Sequence, residues 1–373
     1  MDAGDLVRLG LYDPTAPDAE DRLRLLHLLA DRGASEDDLV RAAATESLGA
    51  LALELTIHGP QAGLSFAEAA GAAGLDDESA SALWRALGFG DPEGSQPRLS
   101  PPEVNALATL AAASHDLLGP AATRGVGRVL GASAARLAEA LVDAMRVEFE
   151  MPRRTSGAEY SEVVVQYVEL AEAQLDSFLA VFDAVFRRHM VTVASGNWSF
   201  DAEASALQRE LVVGFVDMEG YTSLSRTLTS RQLAELVEQF ELLVSDAVSR
   251  HPARLIKLIG DAAMIVCESS LDACRLGLEL VAAFGPGRGL PAVRVGLARG
   301  PVMAVRGDYF GQVVNLASRL AGSAEPSTVT VDDTVRQSAE ESFAFERLPA
   351  IELKGVDRTP TAFRLHTRLD GPG

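Results

Sequence analysis

The feature that most constrains the fold of this chain is a change in the spacing of its apolar residues near residue 200. From Asp18 to about Met190, apolar residues recur every three or four positions, as in AEDRLRLLHLLADRG and EVVVQYVELAEAQLDSFLAVFDAVFRRHM, which predicts helices. Beyond that point come short apolar runs of strand type, LVVGFV, RLIKLI and AMIVC. The sequence therefore predicts an all-α first half and an α/β second half.

The order of the elements in the second half narrows the fold further. A strand and a helix are followed by two strands separated only by Gly260 and Asp261, which implies a hairpin, and then by a helix and another strand. This βαββαβ order, with extra strands, predicts a ferredoxin-like sheet with helices on one face. The predicted domains are an all-helical domain at 1–190, a linker at 191–204 and an α/β domain at 205–373.

Charge and cysteine usage exclude several classes of function. The chain has 373 residues and a formal net charge of −20, with the acid excess mainly in the first half, so binding to nucleic acid is not expected. Cys267 and Cys274 have no metal-ligand spacing and are expected to be core thiols in a reducing compartment. No uncharged apolar stretch approaches 20 residues. We expect a cytoplasmic protein without membrane insertion.

Two carboxylates stand out by position. Asp217 closes the first strand of the second half, and Asp261 lies at the tip of the hairpin. The first strand and the hairpin are neighbours in this fold, so both side chains can reach one point. Paired carboxylates of this kind suit Mg²⁺ or Mn²⁺ beside phosphates, whereas either Asp alone is more simply a turn residue.

Lysine usage adds a second signal. The chain has only two lysines, Lys257 and Lys354, and every other basic side chain is Arg. A retained Lys indicates a place where a compact ammonium is wanted, although chance survival at the surface is the simpler alternative.

Three segments, in this order, resemble the signature segments of the class III nucleotidyl cyclases. They are Phe215 to Thr222 (FVDMEGYT), Lys257 to Asp261 (KLIGD) and Asp308 to Arg319 (DYFGQVVNLASR). The resemblance implies an adenylyl cyclase that converts ATP to cyclic AMP and pyrophosphate, with Asp217 and Asp261 holding two divalent metal ions, Mg²⁺ or Mn²⁺.

The same resemblance implies roles for further residues. Lys257 and Asp308 would select adenine, Asn315 would orient the ribose, and Arg319 would meet the charge that develops on the α-phosphate. Shorter local matches imply that Arg294 and Lys354 bind the triphosphate. In this family two catalytic domains pair head to tail and each contributes part of each site, which implies a homodimer.

The first half resembles the helical regulatory domains of some soluble actinobacterial cyclases, including pH-responsive ones. This implies that it gates the catalytic domain, with pH or an apolar ligand as candidate signals. His189, near the end of the longest predicted helix, is the residue whose protonation we would test first.

Three alternatives remain open from the sequence. A cyclic dinucleotide synthase typically has a Gly-Gly-acidic hairpin, whereas this chain has Ile259-Gly260-Asp261. A degenerate cyclase fold could serve as a sensor without activity. The segment from Ser65 to Gly88 has helix-turn-helix spacing typical of a transcription factor, but Arg85 is the one basic residue of its second helix, so helical packing is the preferred interpretation.

Overall fold

The structure is a computed structural model that describes residues 1–59, 63–90, 99–197, 208–349 and 361–368. The chain divides into two compact units, Met1–Ser199 and Phe200–Gly373.

The described part of the first unit is helical, as the sequence predicted. Its α-helices, in chain order, are α1 Ala3–Arg8, α2 Ala19–Asp31, α3 Glu36–Ala44, α4 Leu48–His58, α5 Phe66–Ala72, α6 Asp77–Ala86, α7 Pro101–Ala113, α8 Pro120–Met145, α9 Met151–Thr155 and α10 Tyr160–Asn197. Short π-helical turns at Ser114–Leu118 and Arg146–Glu150 flank α8. Ser35 and Ser65 are the N-cap residues of α3 and α5 and form capping boxes, in which the Ser side chain and an acidic side chain three residues later satisfy free backbone N–H groups.

Two apolar clusters hold this unit together. One joins α1 to α4 with the start of α10 and includes Leu25, Leu29 and Val168. The other joins α5, α6 and α7 around Trp84 and Leu107, so the helix-turn-helix-like segment packs its second helix into a core. The far half of α10 is different, because its side chains from Leu179 to Val193 are exposed.

Helix α10 runs further than expected. It continues to Asn197, so the first seven residues of the predicted linker at 191–204 are helical, and residues 198–204 lie outside the described ranges. The domain bounds themselves stay a prediction. Within the described part of the chain, no helix combines the length and hydropathy that a membrane crossing would require.

The second unit is a mixed sheet with helices, which confirms the predicted α/β class. Its elements are β1 Gln208–Met218, α11 Tyr221–Leu224, α12 Ser230–Ser249, β2 Ala253–Ile259, β3 Ala262–Cys267, α13 Ser270–Ala283, β4 Val293–Val305, β5 Asp308–Phe310, α14 Gln312–Ser323, β6 Val329–Asp332, α15 Asp333–Ala339, β7 Phe343–Arg347 and β8 Ala362–Thr367. The strand order is β2-β3-β1-β4-β6-β8-β7, and β5 pairs with β4 off this path.

The βαββαβ core is present, since β2-β3-β1-β4 is the ferredoxin-like order, and β1 is antiparallel to both neighbours. Helices α12, α13 and α15 cover one face of the sheet, where Phe240, Leu276 and Val335 join the main core. Helix α14 instead packs on the opposite face through Val313, Ala317 and Leu320. The expectation of helices on one face was therefore wrong for α14, which follows β5 rather than belonging to the βαββαβ core. This second face carries the site.

Cys267 and Cys274 are free and buried in the main core, which confirms the expectation of core thiols. Burial raises the pKa of each thiol to about 12, so both stay protonated.

Candidate active site

The two predicted metal carboxylates lie side by side. Asp217 is opposite Ala262 in the β1–β3 ladder, and Asp261 directly precedes Ala262 in the turn of the β2–β3 hairpin. The backbone N–H of Met218 donates to the carbonyl of Asp261 at 2.9 Å, which fastens the turn to the end of β1. Gly260 supplies the left-handed conformation of this turn, with φ 61°. Strand pairing thus brings two carboxylates to one edge of the sheet.

Arg294 joins this pair from the other side. It is opposite Asp217 in the β1–β4 ladder, and its Nη2 donates to Asp217 Oδ2 at 2.6 Å. A second nitrogen, Nη1, donates to the carbonyl of Gly322 near the end of α14 at 3.3 Å, while Nε is buried and has no hydrogen-bond partner among the described residues. Arg294 therefore joins Asp217 to the end of α14.

The charges of these three residues bear on each other. Burial raises the pKa of Asp217 above its ordinary value, the Arg294 guanidinium opposes that rise, and the charge of Asp261 adds to it. A carboxylate that is partly desolvated and repelled by a neighbour gains from an additional positive charge. The site is electrostatically suited to a cation beside Arg294.

A β-bulge decides where Lys257 points. In the β2–β3 ladder Leu255 is opposite Ile265, but the register shifts and Lys257 is opposite Met264. Ile265 belongs to the main core, whereas Met264 belongs to the cluster under α14. Without the bulge, Lys257 would share the face of Leu255 and point into the main core. The extra residue turns Lys257 to the face that carries Asp217 and Arg294.

A tight turn places Asp308 beside Lys257. Val305 of β4 pairs with Asp308 of β5, and the two residues between them, Arg306 and Gly307, have φ values of 55° and 79°. Two positive φ angles in a two-residue loop are what a type I′ hairpin requires. Lys257 Nζ lies 2.5 Å from Asp308 Oδ2, although the two residues are 51 positions apart. Both side chains are about one-third exposed and can reach a ligand.

Helix α14 carries Asn315 and Arg319 one turn apart. Four residues separate them, so they project from one side of the helix, Asn315 exposed and Arg319 partly buried. The helix approaches β4 closely at Gly296, where an added Cβ would lie 2.2 Å from the backbone nitrogen of Ala321. A glycine within a strand signals such an approach.

The structure thus brings together Asp217, Asp261 and Arg294 in one group and Lys257 with Asp308 in another, and it places Asn315 and Arg319 on α14 over the same face. Lys354 lies outside the described residues. Sequence reasoning missed the Asp217–Arg294 ion pair and the contact of Arg254 with Tyr309. The sequence does contain one signal that bears on Arg254. The alternation of polar and apolar residues is broken in Arg254-Leu255-Ile256-Lys257, which indicates a bulge that places Arg254 and Lys257 on the same face of the strand.

A ferredoxin-like sheet with two carboxylates at its edge, and a Lys–Asp pair and an Asn/Arg helix on the face beside them, is the arrangement of a class III nucleotidyl cyclase. Comparison with known proteins agrees. Residues 205–367 match the family model described as "Adenylate and Guanylate cyclase catalytic domain". The chain belongs to this family and carries an additional N-terminal helical region.

Several relatives extend over most of the chain, among them the following two. "Uncharacterized protein Rv2212" of Mycobacterium tuberculosis (strain ATCC 25618 / H37Rv) is 31% identical and covers 98% of this chain and 94% of its own length. An "Adenylate cyclase" of Streptomyces coelicolor is 36% identical over 81% of this chain and 78% of its own length. Among solved structures, the adenylyl cyclase CyaB from P. aeruginosa aligns at 20% identity and a TM-score of 0.40, covering 44% of this chain and 98% of that one.

Proposed function

We propose that this protein is an adenylate cyclase that converts ATP to 3′,5′-cyclic AMP and pyrophosphate. The observation that carries the proposal is the contact of Lys257 with Asp308 on the sheet face of Asp217 and Arg294. The Streptomyces coelicolor relative, named an adenylate cyclase, supports the same substrate. The two free, buried thiols are consistent with work in the cytoplasm, where ATP is available.

Lys257 and Asp308 are proposed to read the adenine edge. Adenine presents an acceptor at N1 and a donor at its 6-amino group, which match an ammonium and a carboxylate respectively. Guanine presents the opposite polarity, so its N1–H would face the ammonium and its O6 would face the carboxylate, a mismatch that discriminates by on the order of 10⁴-fold in built hydrogen-bonding sites. Because the two side chains already hold each other in place, little ordering is needed when the base arrives.

The residues present fit two divalent metal ions. Asp217 and Asp261 offer hard carboxylate oxygens close together, and the negative charge of Asp261 beside the half-buried Asp217 favours added positive charge there. Bound Mg²⁺ or Mn²⁺ would make the ribose 3′-hydroxyl more acidic and balance the charge of the pyrophosphate. Arg294, whose buried Nε has no hydrogen-bond partner in the part of the chain that the structure describes, is proposed to bind the triphosphate beside these carboxylates. Lys354 is proposed to bind the triphosphate as well.

Helix α14 is proposed to act on the sugar and the reacting phosphate. Asn315 would hold the ribose so that its 3′-oxygen faces the α-phosphorus, and Arg319 would donate to the phosphate oxygens as charge builds on them. Such aimed donors contribute more in the transition state than in the ground state, which is what accelerates a reaction.

We propose further that two copies pair head to tail, with Asp217 and Asp261 from one chain and Lys257, Asp308, Asn315 and Arg319 from the other. The test mixes two inactive variants, Asp217→Ala and Arg319→Ala. If the halves come from different chains, each mixed dimer has one intact site, and free exchange restores about a quarter of wild-type activity. Sites built within one chain would give no recovery.

The first unit is proposed to gate the catalytic domain. The domains are taken as 1–190 and 205–373, joined through the end of α10 and residues 198–204. Deleting residues 1–200 should change the specific activity of the remaining domain. A rise would mean that the first unit inhibits the resting enzyme, and a fall would mean that it activates it. Unchanged activity on deletion would refute the gating.

Replacing His189 with Gln should alter the pH profile of the full-length enzyme if pH is the signal.

The adenine proposal has a test of its own. Purine riboside triphosphate lacks the 6-amino group, so it cannot donate to Asp308. Asp308→Ala should lower kcat/KM for ATP by about 10- to 100-fold and leave kcat/KM for purine riboside triphosphate nearly unchanged. An equal loss with both substrates would refute recognition of the amino group by Asp308.

A further inference from the structure

Strand β5, which carries Asp308, has little support from the sheet. It is three residues long, Asp308–Phe310, and within the described residues it pairs with the end of β4 but lies off the main strand order. Two side-chain contacts tie it to β2 as well, the Lys257–Asp308 pair and a contact between Arg254 and Tyr309. We propose that Arg254 is a positioning residue for base recognition, which holds Asp308 in place through Tyr309. This inference rests on the proposed recognition of adenine by Asp308.

The contact between Arg254 and Tyr309 has two components. Arg254 Nη2 donates to the Tyr309 hydroxyl at 2.6 Å, and the guanidinium carbon lies 5.7 Å from the centre of the Tyr309 ring. Tyr309 is 7% exposed and belongs, with Met264 and Val313, to the apolar cluster under α14. A buried hydroxyl requires a partner, and Arg254 supplies it. The hydrogen bond to Arg254 restrains how the Tyr309 ring is oriented and where its hydroxyl lies.

The backbone links the Tyr309 ring to the Asp308 carboxylate. The N–H of Tyr309 donates to Asp308 Oδ1 at 2.8 Å, while Lys257 Nζ contacts Oδ2. Asp308 is thus oriented by the peptide that joins it to Tyr309. If the ring loses its anchor, that peptide turns more freely and the carboxylate loses its fixed direction toward the ligand.

The bulge in β2 places Arg254 and Lys257, the two residues that contact β5, on the same face of the sheet. Arg254 is opposite Val266 and Lys257 is opposite Met264, and both partners belong to the cluster under α14. Residues three apart on a regular strand point to opposite faces. The bulge therefore places Arg254 and Lys257 on one face, where they contact consecutive residues of β5. This arrangement supports a role in positioning beyond packing alone.

The test compares ATP with purine riboside triphosphate in the full-length protein. Arg254→Met removes the donor and keeps the apolar stem, and Tyr309→Phe removes only the hydroxyl. Each should lower kcat/KM for ATP by about tenfold, mainly through KM, and leave kcat/KM for purine riboside triphosphate within about twofold. Arg254→Lys should recover part of the preference for ATP. Arg231→Met, at a side chain that is 90% exposed on α12, is the matched control and should change neither value.

The outcomes separate this inference from the proposed function. A loss that is equal for both substrates means a merely structural role and overturns the inference. If Asp308→Ala abolishes the preference for ATP while Arg254→Met and Tyr309→Phe retain it, the positioning role falls and adenine recognition stands. If the wild-type protein shows no preference, adenine recognition falls and this inference falls with it.

Discussion

Replacing Gly296 with Ala should separate α14 from the sheet and so disable the reaction. The added Cβ would lie 2.2 Å from Ala321 N, 2.4 Å from Ala317 O and 2.8 Å from Leu320 C. All three atoms belong to the backbone of α14, so no side-chain rotation relieves the overlap. The helix must move by about 1.2 Å to restore an ordinary contact of 3.4 Å.

Two effects follow from a shift of this size. Overpacking of this kind lowers the free energy of unfolding by about 1–3 kcal/mol. For a unit of the length of Phe200–Gly373, that loss lowers Tm by roughly 2–12 °C. Because Asn315 and Arg319 move with the helix, kcat should fall on the order of 10²-fold, the loss expected from a 1 Å misplacement. Calorimetry and steady-state kinetics measure the two effects separately.

The matched control is Gly277→Ala on α13. This glycine also packs against the sheet, but its added Cβ would meet a methyl group of Val329 at 3.1 Å, and a side chain can yield by a few tenths of an ångström. It should retain activity. If Gly296→Ala keeps both kcat and Tm near the wild-type values, the close approach of α14 to β4 is not as described.

Three further predictions concern stability and reactivity. Burial raises the pKa of Asp332 from 3.8 to about 6, so the folded state keeps its full stability below about pH 4 and loses part of it as the pH rises through 6. Chemical denaturation at several pH values should show the unfolding free energy of the wild type falling by up to about 3 kcal/mol relative to Asp332→Asn between about pH 4 and about pH 7; a constant difference would contradict this. Arg306 has a φ of 55° in the β4–β5 turn, so Arg306→Asn should raise the unfolding free energy by about 0.5–1 kcal/mol in the same assay, and a decrease would argue against the turn. Cys267 and Cys274 are buried with a pKa of about 12, so a thiol reagent should label neither in the native protein and both in denaturant; native labelling would refute their burial.

The sequence was sufficient for the parts of the site that depend on local order. A strand end and a hairpin tip are visible as apolar runs with their breaks, and neighbouring strands bring Asp217 and Asp261 together in a βαββαβ fold. The helical spacing of Asn315 and Arg319 was equally visible. These predictions needed only the period of each element and the order of elements along the chain.

The remaining parts depend on register between distant segments. Arg294 meets Asp217 because of how β4 pairs with β1, across 77 residues, and no local pattern reports such a pairing. The broken alternation of residues 254–257 indicates a bulge in β2, but that Lys257 then meets Asp308 depends on the pairing of β2 with β3 and of β4 with β5. The side of the sheet on which α14 packs was predicted wrongly. The apolar stripe of a helix shows that this side of the helix is buried, but it does not show which face of the sheet buries it.

The measurement that tests the central claim most directly is cyclic AMP formation by the purified full-length protein. ATP and GTP are supplied in turn, with Mg²⁺ and with Mn²⁺, beside Asp217→Ala. We predict conversion of ATP to cyclic AMP, little conversion of GTP, and no activity in the variant. A preference for GTP, undiminished activity in Asp217→Ala, or no activity from either the full-length protein or residues 201–373 would contradict the account.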